Sequence, residues 1–124
     1  MTPEEYKKLV ADSQKGKRPK YGNKKTEVDG IMFDSKGEAN RYLELKMFQQ
    51  GGVIANLQHQ VRYQLTVNGM KVGVYVADFV YTDVKNGEQV IEDYKGGRAT
   101  KTPLYLLKKK LMKAIYGYDI REIE

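Results

Sequence analysis

The sequence contains no cysteine, no tryptophan and a single histidine, His59. Without cysteine there are no disulfides and no thiolate metal ligands, and one imidazole is too few for zinc fingers or histidine-based metal nucleases. A bound metal would therefore need carboxylate and carbonyl ligands, which favour hard cations such as Mg²⁺ or Mn²⁺.

The sequence also lacks any apolar run near the roughly 18 residues that a membrane span requires. Its first residues, Met1-Thr2-Pro3, lack the basic-then-apolar order of a secretory signal, so we expect a cytoplasmic protein without membrane contact. The 124 residues suit one domain with its own core. Lysine and arginine total 22 against 16 acidic residues, and the net charge of +6 favours a polyanionic partner.

Residues 1–34 are predicted to form an appendage in three parts. Thr2-Pro3 begins a short helix that ends near Asp12. Residues 13–25 form a basic arm suited to nucleic acid, although linkers have a similar composition. Asp29-Gly30 then turns a small β-ribbon.

Residues 35–124 are predicted to form the core, beginning with a helix of about fifteen residues from Ser35. Ala39, Leu43 and Met47 share one stripe of this helix, with Tyr42 beside it, and are expected to face inward. Two alternating strands follow, joined at Asn68-Gly69, and a third strand covers 88–94.

A second helix follows Thr102-Pro103 and is predicted to end near Gly117. Its apolar pattern is predicted to turn Leu104, Leu107, Leu111 and Ile115 inward. Residues 118–123 form the last strand, so the order from Ser35 onward is α-β-β-β-α-β. This order predicts a mixed sheet flanked by helices, in which the final β-α-β step is a parallel crossover.

The turn before the third strand sets the predicted register. If Asn86-Gly87 is a two-residue turn, it pairs Lys85 with Glu88 and places Asp78 opposite Lys95. A salt bridge between Asp78 and Lys95 would be the simplest structural explanation of an acid in this apolar strand.

The same register places Val80 opposite Asp93, so Asp78, Asp93 and Lys95 share one face of the sheet while Glu92 points away. Two neighbouring carboxylates repel each other, and a divalent cation relieves that repulsion while neutralising charge on a phosphate. A lysine beside them can stabilise developing negative charge. The pattern predicts a metal-dependent phosphodiester hydrolase.

Asp78 followed by Asp93-Tyr94-Lys95 resembles the PD-(D/E)xK signature of the restriction-endonuclease-like superfamily, although Ala77 stands where the signature has proline. The predicted element order is similar to that superfamily's core. Three further segments resemble a group of small phage-associated presumed endonucleases: residues 33–39 (FDSKGEA), 77–79 (ADF) and 102–105 (TPLY).

The resemblance implies a phage- or prophage-encoded endodeoxyribonuclease that uses Mg²⁺ or Mn²⁺ and leaves a 5′-phosphate. It implies a metal held by Glu38, Asp78, Asp93 and a carbonyl near Tyr94, with Lys95 as the catalytic cation. Glu38 has a second explanation, because Ser-x-x-Glu is also the pattern of a helix capping box.

DNA contacts are predicted for eight basic residues, although such lysines are also the ordinary solvated face of a helix or loop. They are Lys20, Lys24, Lys25, Lys36, Arg98, Lys101, Lys109 and Lys110. A homodimer is expected, since one small protomer cuts one strand. Two alternatives stay open: a structure-selective nuclease such as a Holliday-junction resolvase, and a non-catalytic nucleic-acid-binding or protein-contact factor with the same fold.

Overall fold

The computed structural model of the protein describes residues 25–96 and 101–124. Three of the predicted DNA contacts, Lys20, Lys24 and Arg98, lie outside these residues, as do the predicted N-terminal helix and most of the basic arm. The fold is mixed α/β, with two helices and a mixed sheet in the described part. It divides into two compact units, Met1–Leu43 and Glu44–Glu124.

The first unit contains a two-stranded antiparallel ribbon, β1 (Thr26–Val28) and β2 (Ile31–Phe33). Asp29 and Gly30 both have positive φ, 52° and 76°, which is the conformation expected of an Asp-Gly hairpin turn. The Asp29 carboxylate accepts a hydrogen bond from the Tyr42 hydroxyl at 3.2 Å. Burial is the main cause of the raised pKa of Tyr42.

Helix α1 (Lys36–Gln50) buries a different stripe from the predicted one. Ala39 is buried as expected, but Leu43 and Met47 are 43% and 69% exposed. Tyr42 and Leu45 are buried instead. Ala39, Tyr42 and Leu45 recur at three-residue spacing, so they share one face of the helix, and this is the face that is buried.

The second unit is built on a four-stranded sheet in the order β3-β4-β5-β6. Its elements are β3 (Ile54–Val67), β4 (Met70–Asp83), β5 (Gln89–Tyr94), α2 (Pro103–Tyr116) and β6 (Ile120–Ile123). Strands β3, β4 and β5 are antiparallel neighbours, whereas β5 and β6 are parallel. Helix α2 makes the crossover between these last two strands. Neither helix in the described ranges is long and apolar enough to span a membrane.

Helix α2 covers the core of this unit with a face that the leucine pattern did not predict. Met112 is fully buried, whereas Leu104 and Leu107 are 60% and 53% exposed, so their predicted inward orientation is wrong. Leu111 and Ile115 are partly buried and pack against the core. The buried core residues are Leu65, Tyr75, Ala77, Val80, Ile91, Met112 and Ile120.

Both ends of α2 follow the sequence signals. The Thr102 hydroxyl accepts a hydrogen bond from the Tyr105 N–H at 3.1 Å, which caps the helix before its N1 proline. At the other end Gly117 has φ 77°, and its N–H donates to the Lys113 carbonyl. A left-handed glycine is the usual terminator of an α-helix.

The turn between β4 and β5 differs from the prediction. The Asp83 N–H donates to the Glu88 carbonyl at 2.8 Å, so four residues, not two, lie between the paired positions. Two side chains stabilise this longer turn: Asp83 accepts from the Lys85 N–H, and Asn86 accepts from the Glu88 N–H, each at 2.9 Å. These side-chain contacts compete with the tighter Asn-Gly turn.

The longer turn shifts the register by two residues. Val80 pairs with Ile91 rather than with Asp93, and the next pair along is Phe79 with Glu92. One step further places Asp78 across from Asp93 rather than from Lys95. Because side chains alternate with a period of two, a shift of two residues changes the partner but keeps the face.

Candidate active site

Asp78 lies where the regular pairing of β4 is interrupted. The residue that lies across from Asp78 on β3 is Gln60, between the paired residues His59–Phe79 and Val61–Ala77. Gln60 has a positive φ of 54°. The Gln60 amide donates to one Asp78 oxygen at 3.4 Å. The other oxygen accepts the main-chain N–H of Tyr94 at 2.7 Å. The Asp78 carboxylate is therefore bound to the residue between Asp93 and Lys95.

Asp93 is buried, 8% exposed, and each of its carboxylate oxygens has a donor. Oδ1 lies 3.0 Å from the Lys95 ammonium, and Oδ2 accepts the Tyr75 hydroxyl at 2.7 Å. Lys95 thus forms its ion pair with Asp93, whereas the simple structural explanation of Asp78 required a pair with Lys95.

The negative charge of this site affects the pKa of two tyrosine hydroxyls, those of Tyr75 and Tyr105. Burial raises the pKa of both hydroxyls, and both are raised further by the charges of Asp78 and Asp93. Each phenol therefore stays protonated and donates its hydrogen bond. Because both phenols respond to both carboxylates, these four side chains lie within one electrostatic environment.

Lys95 has a second partner on α2. Its ammonium lies 3.2 Å from the centroid of the Tyr105 ring, over the face where the π-electrons attract a cation. The side chain of Lys95 is 12% exposed. Ring and carboxylate together therefore hold the ammonium in a mostly desolvated position.

Glu122 of β6 binds the opposite end of the same tyrosine. Its Oε2 accepts the Tyr105 hydroxyl at 2.7 Å, and its Oε1 lies 3.0 Å from Lys101 and 3.3 Å from Lys109. The tyrosine hydrogen bond is the main cause of the lowered pKa of Glu122, about 2, with the two lysines adding to it. Glu122 is therefore a carboxylate over the whole physiological range.

The sequence analysis missed Tyr75, Tyr105 and Glu122. A usable signal existed for Glu122, because a parallel crossover from the third strand to the last aligns their residues in order. In the structure Asp93 pairs with Glu122. The tyrosines gave no comparable signal, since nothing separates a hydrogen-bonded tyrosine from the other tyrosines by sequence alone.

Glu92 lies in a separate network. It is fully buried, and its carboxylate accepts the Tyr81 hydroxyl, which in turn accepts a hydrogen bond from Arg121 at 3.3 Å. The strand parity that separates Glu92 from Asp93 therefore distinguishes a structural acid from the acid beside Lys95.

Glu38 belongs to the first unit and is 6% exposed. Its main-chain N–H donates to the Ser35 hydroxyl at 3.1 Å, which is the serine half of the capping box that the sequence offers. Its assignment as a metal ligand stays a prediction.

The predicted DNA contacts that lie within the described residues divide into two groups. Lys101 and Lys109 are bound to Glu122 and are part of the site's own network. Lys25, Lys36 and Lys110 are exposed.

The carboxylates of the site fit a hard cation that shares its shell with solvent and substrate. In the described ranges no three His, Asp or Glu side chains converge to form a metal site on their own. Mg²⁺ commonly takes only one or two protein carboxylates and fills its other positions with water and phosphate oxygens. Asp78 and Asp93 can supply that pair, because an oxygen that accepts one hydrogen bond keeps a further lone pair.

This arrangement defines a mixed α/β protein with two acids and a lysine gathered on neighbouring strands. The chain belongs to the family described as protein of unknown function DUF1064, whose model matches residues 18–122. Neither a curated protein nor a solved structure matches the chain.

Proposed function

We propose that the protein is a metal-dependent endodeoxyribonuclease with a restriction-endonuclease-like core. The observation that carries the proposal is the joining of Asp78, Asp93 and Lys95 at one point. Asp78 accepts the Tyr94 N–H, and Asp93 is ion-paired with Lys95. An acid on one strand is thereby bound to the middle residue of the Asp-Tyr-Lys segment, whose two charged members are ion-paired with each other.

Asp78 and Asp93 would hold Mg²⁺ or Mn²⁺, with a main-chain carbonyl near Tyr94 as a further ligand. Bound there, the cation supplies Lewis-acid stabilisation of the phosphate and lowers the pKa of a water molecule. The Tyr75 hydroxyl orients the Asp93 carboxylate, and the Tyr94 N–H orients that of Asp78.

Lys95 supplies the fixed positive charge. An ammonium has three N–H groups, and its contacts with Asp93 and the Tyr105 ring engage two of them. The third can donate to a phosphoryl oxygen, whose negative charge grows during in-line attack. Because Lys95 is mostly desolvated, its electrostatic effect on that oxygen is stronger than it would be in bulk water.

The clustered acids favour catalysis over simple binding. A protein that only binds nucleic acid gains nothing from placing Asp78 and Asp93 where a phosphate must approach, since like charges repel. The net charge of +6 supplies the general attraction to DNA. A homodimer would bring two such sites to the two strands of a duplex or a junction.

The test is cleavage of supercoiled, linear, single-stranded and four-way-junction DNA with Mg²⁺, Mn²⁺ or a chelator. Asp78→Asn and Lys95→Ala should each lower the cleavage rate by about 100-fold or more, as loss of a transition-state contact does. Asp119→Asn is the matched control, because this exposed acid, in the loop that follows α2, forms its ion pair with the surface residue Lys113 of α2.

Cleavage that persists in chelator, or full activity in both site variants, would overturn the mechanism. If no substrate is cut while DNA still binds, and Asp78→Asn binds more tightly than wild type, the protein is an impaired or partner-activated nuclease rather than an active one. Preference for the junction over the linear duplex would identify the structure-selective form of the enzyme.

A further inference from the structure

A chain of contacts connects β6 to the lysine of the site. Glu122 accepts the Tyr105 hydroxyl, and the other side of that tyrosine, its ring face, lies 3.2 Å from the Lys95 ammonium. Lys95 in turn lies 3.0 Å from Asp93. All four residues belong to the second compact unit.

We propose that Glu122 is a positioning residue that fixes Lys95 through Tyr105. The inference rests on the proposed function for its catalytic meaning, while the contacts themselves are independent of it. Glu122 is two contacts away from the Lys95 ammonium and acts on it through the aromatic ring of Tyr105.

Lys95 needs such a device because its side chain has four rotatable bonds and loses considerable entropy when it is ordered. The ion pair with Asp93 fixes the distance to one carboxylate but leaves the direction of approach open. The Tyr105 ring closes one side of the ammonium. A catalytic group must be held within about half an ångström of its working position, so this second contact matters for rate.

Tyr105 itself needs an anchor, since α2 holds only its backbone. The hydroxyl of Tyr105 binds Glu122 at 2.7 Å, and the Thr102 cap fixes its main-chain N–H. Lys101 and Lys109 bind the other oxygen of Glu122 and keep its carboxylate charged and oriented. The lowered pKa of Glu122 agrees with this arrangement.

The first readout is the side-chain NMR signal of Lys95, assigned by comparison with Lys95→Arg. Protons held over the face of an aromatic ring are shifted upfield, so the terminal methylene of Lys95 should be upfield of the other lysines. Tyr105→Leu should remove the shift. Tyr105→Phe keeps the ring but loses the hydroxyl anchor, and should reduce it. Glu122→Gln keeps an acceptor and should retain more of the shift than Glu122→Ala.

The second readout is cleavage kinetics in the same variants. Tyr105→Phe and Glu122→Ala should lower kcat by about 10- to 100-fold with little change in KM, as misplacement of a catalytic group does. Glu122→Gln should recover part of the loss. Glu124→Gln is the matched control, because it removes an exposed acid two residues further along the chain, and it should change neither readout.

Three results would overturn the inference. The first is an unshifted Lys95 signal in wild type. The second is a Lys95 signal that stays in place in Tyr105→Phe and Glu122→Ala while the melting temperatures of both variants fall, which would mean that Glu122 has only a structural role. The third is a rise, in Glu122→Gln, of the Mg²⁺ concentration that gives half-maximal cleavage, without any change in the Lys95 NMR signal. That result would make Glu122 a metal ligand.

The two proposals fail separately. If wild type cuts no DNA but the Lys95 signal follows the predicted order of variants, the nuclease proposal fails and the positioning role stands. If wild type cuts DNA and the Lys95 signal is insensitive to Tyr105 and Glu122, the positioning role fails. Should Glu122→Ala not fold, Tyr105→Phe and Glu122→Gln decide the question.

Discussion

At the scale of single residues, the candidate site is a set of charges that neutralise one another. Asp93 binds Lys95 and Tyr75, and Glu122 binds Tyr105 and two lysines. No buried polar side-chain atom in the described part of the chain lacks a hydrogen-bond partner. Because an unpaired buried charge is costly, removing one side chain of this set should destabilise the charged partners that remain.

Glu122 gives the clearest pH prediction at this scale. Its pKa is about 2 in the folded protein, lowered from 4.5. A carboxyl group whose pKa is lower in the folded than in the unfolded state stabilises the fold at any pH above its unfolded-state pKa. This stabilisation is lost as the pH falls from about 4.5 toward 2. Wild type should therefore lose more stability than Glu122→Gln on acidification across this window.

Urea unfolding at a series of pH values from about 6 down to about 2.5 measures this difference in stability. The difference in the free energy of unfolding between wild type and Glu122→Gln should become smaller as the pH falls. A gap that is constant across the series would show that the charge of Glu122 does not contribute to folding.

At the scale of elements, turns and caps place the site residues. The four-residue turn after Asp83 sets which residues of β5 face Asp78, and the Thr102 cap begins the helix turn that carries Tyr105. The two-residue shift of register kept Asp78, Asp93 and Lys95 together, since only an odd shift reverses the face of a strand. The prediction of their grouping therefore tolerated a wrong turn.

The ends of the two helices, α1 and α2, offer a matched pair of glycine substitutions. Gly117 and Gly51 both follow a helix, and both donate their N–H to the carbonyl four residues earlier at 3.0 Å. Only Gly117 has a positive φ, 77°, and no atom lies within 4 Å of a Cβ added there. Gly117→Ala should therefore cost about 1 kcal/mol through backbone strain alone.

Gly51→Ala is the control, because its added Cβ meets the Met47 carbonyl at an ordinary 3.5 Å. It should change the free energy of unfolding by only a few tenths of a kcal/mol, roughly the effect of a compatible glycine replacement. Chemical denaturation of the two variants checks the comparison, and equal losses in both would contradict the conformational argument.

At the scale of the whole molecule, charge is separated by role. The acids of the site are engaged with tyrosines and lysines, whereas Lys25, Lys36 and Lys110 are exposed. In the proposed nuclease, these exposed lysines and the net charge of +6 would supply the long-range attraction to DNA. Lys101 and Lys109, held by Glu122, belong to the site instead.

Lys110 tests this division. Lys110→Gln should weaken DNA binding on every sequence and lower the slope of log K against log salt by about 1, as expected for one lost phosphate contact. Lys85→Gln removes an equal charge from the exposed turn between β4 and β5 and should leave the slope unchanged. Fluorescence anisotropy across a salt series, in chelator, measures both variants.

An unchanged slope for Lys110→Gln would place the phosphate contacts elsewhere on the surface. Equal losses for Lys110→Gln and Lys85→Gln would show that net charge, rather than position, governs the binding.

The sequence by itself determined the local features of this protein. Asp29-Gly30 predicted a hairpin, Thr102-Pro103 and Gly117 predicted the ends of α2, and period-two alternation predicted that Asp93 and Lys95 share a face away from Glu92. Each of these depends on the backbone preferences of a few neighbouring residues. Such preferences can be read without knowing what packs against them.

Only the tertiary structure decided which faces are buried and which side chains meet. The core takes both Ala77 and Val80 from β4, although strict alternation along a strand would put these two residues on opposite faces. Asp78 lies between them, and the residue across from it on β3, Gln60, has a left-handed backbone conformation. Tyr105 and Glu122 meet because the parallel β5–β6 pair and α2 bring their chain segments together. Packing of distant segments fixes these contacts, and no local pattern encodes it.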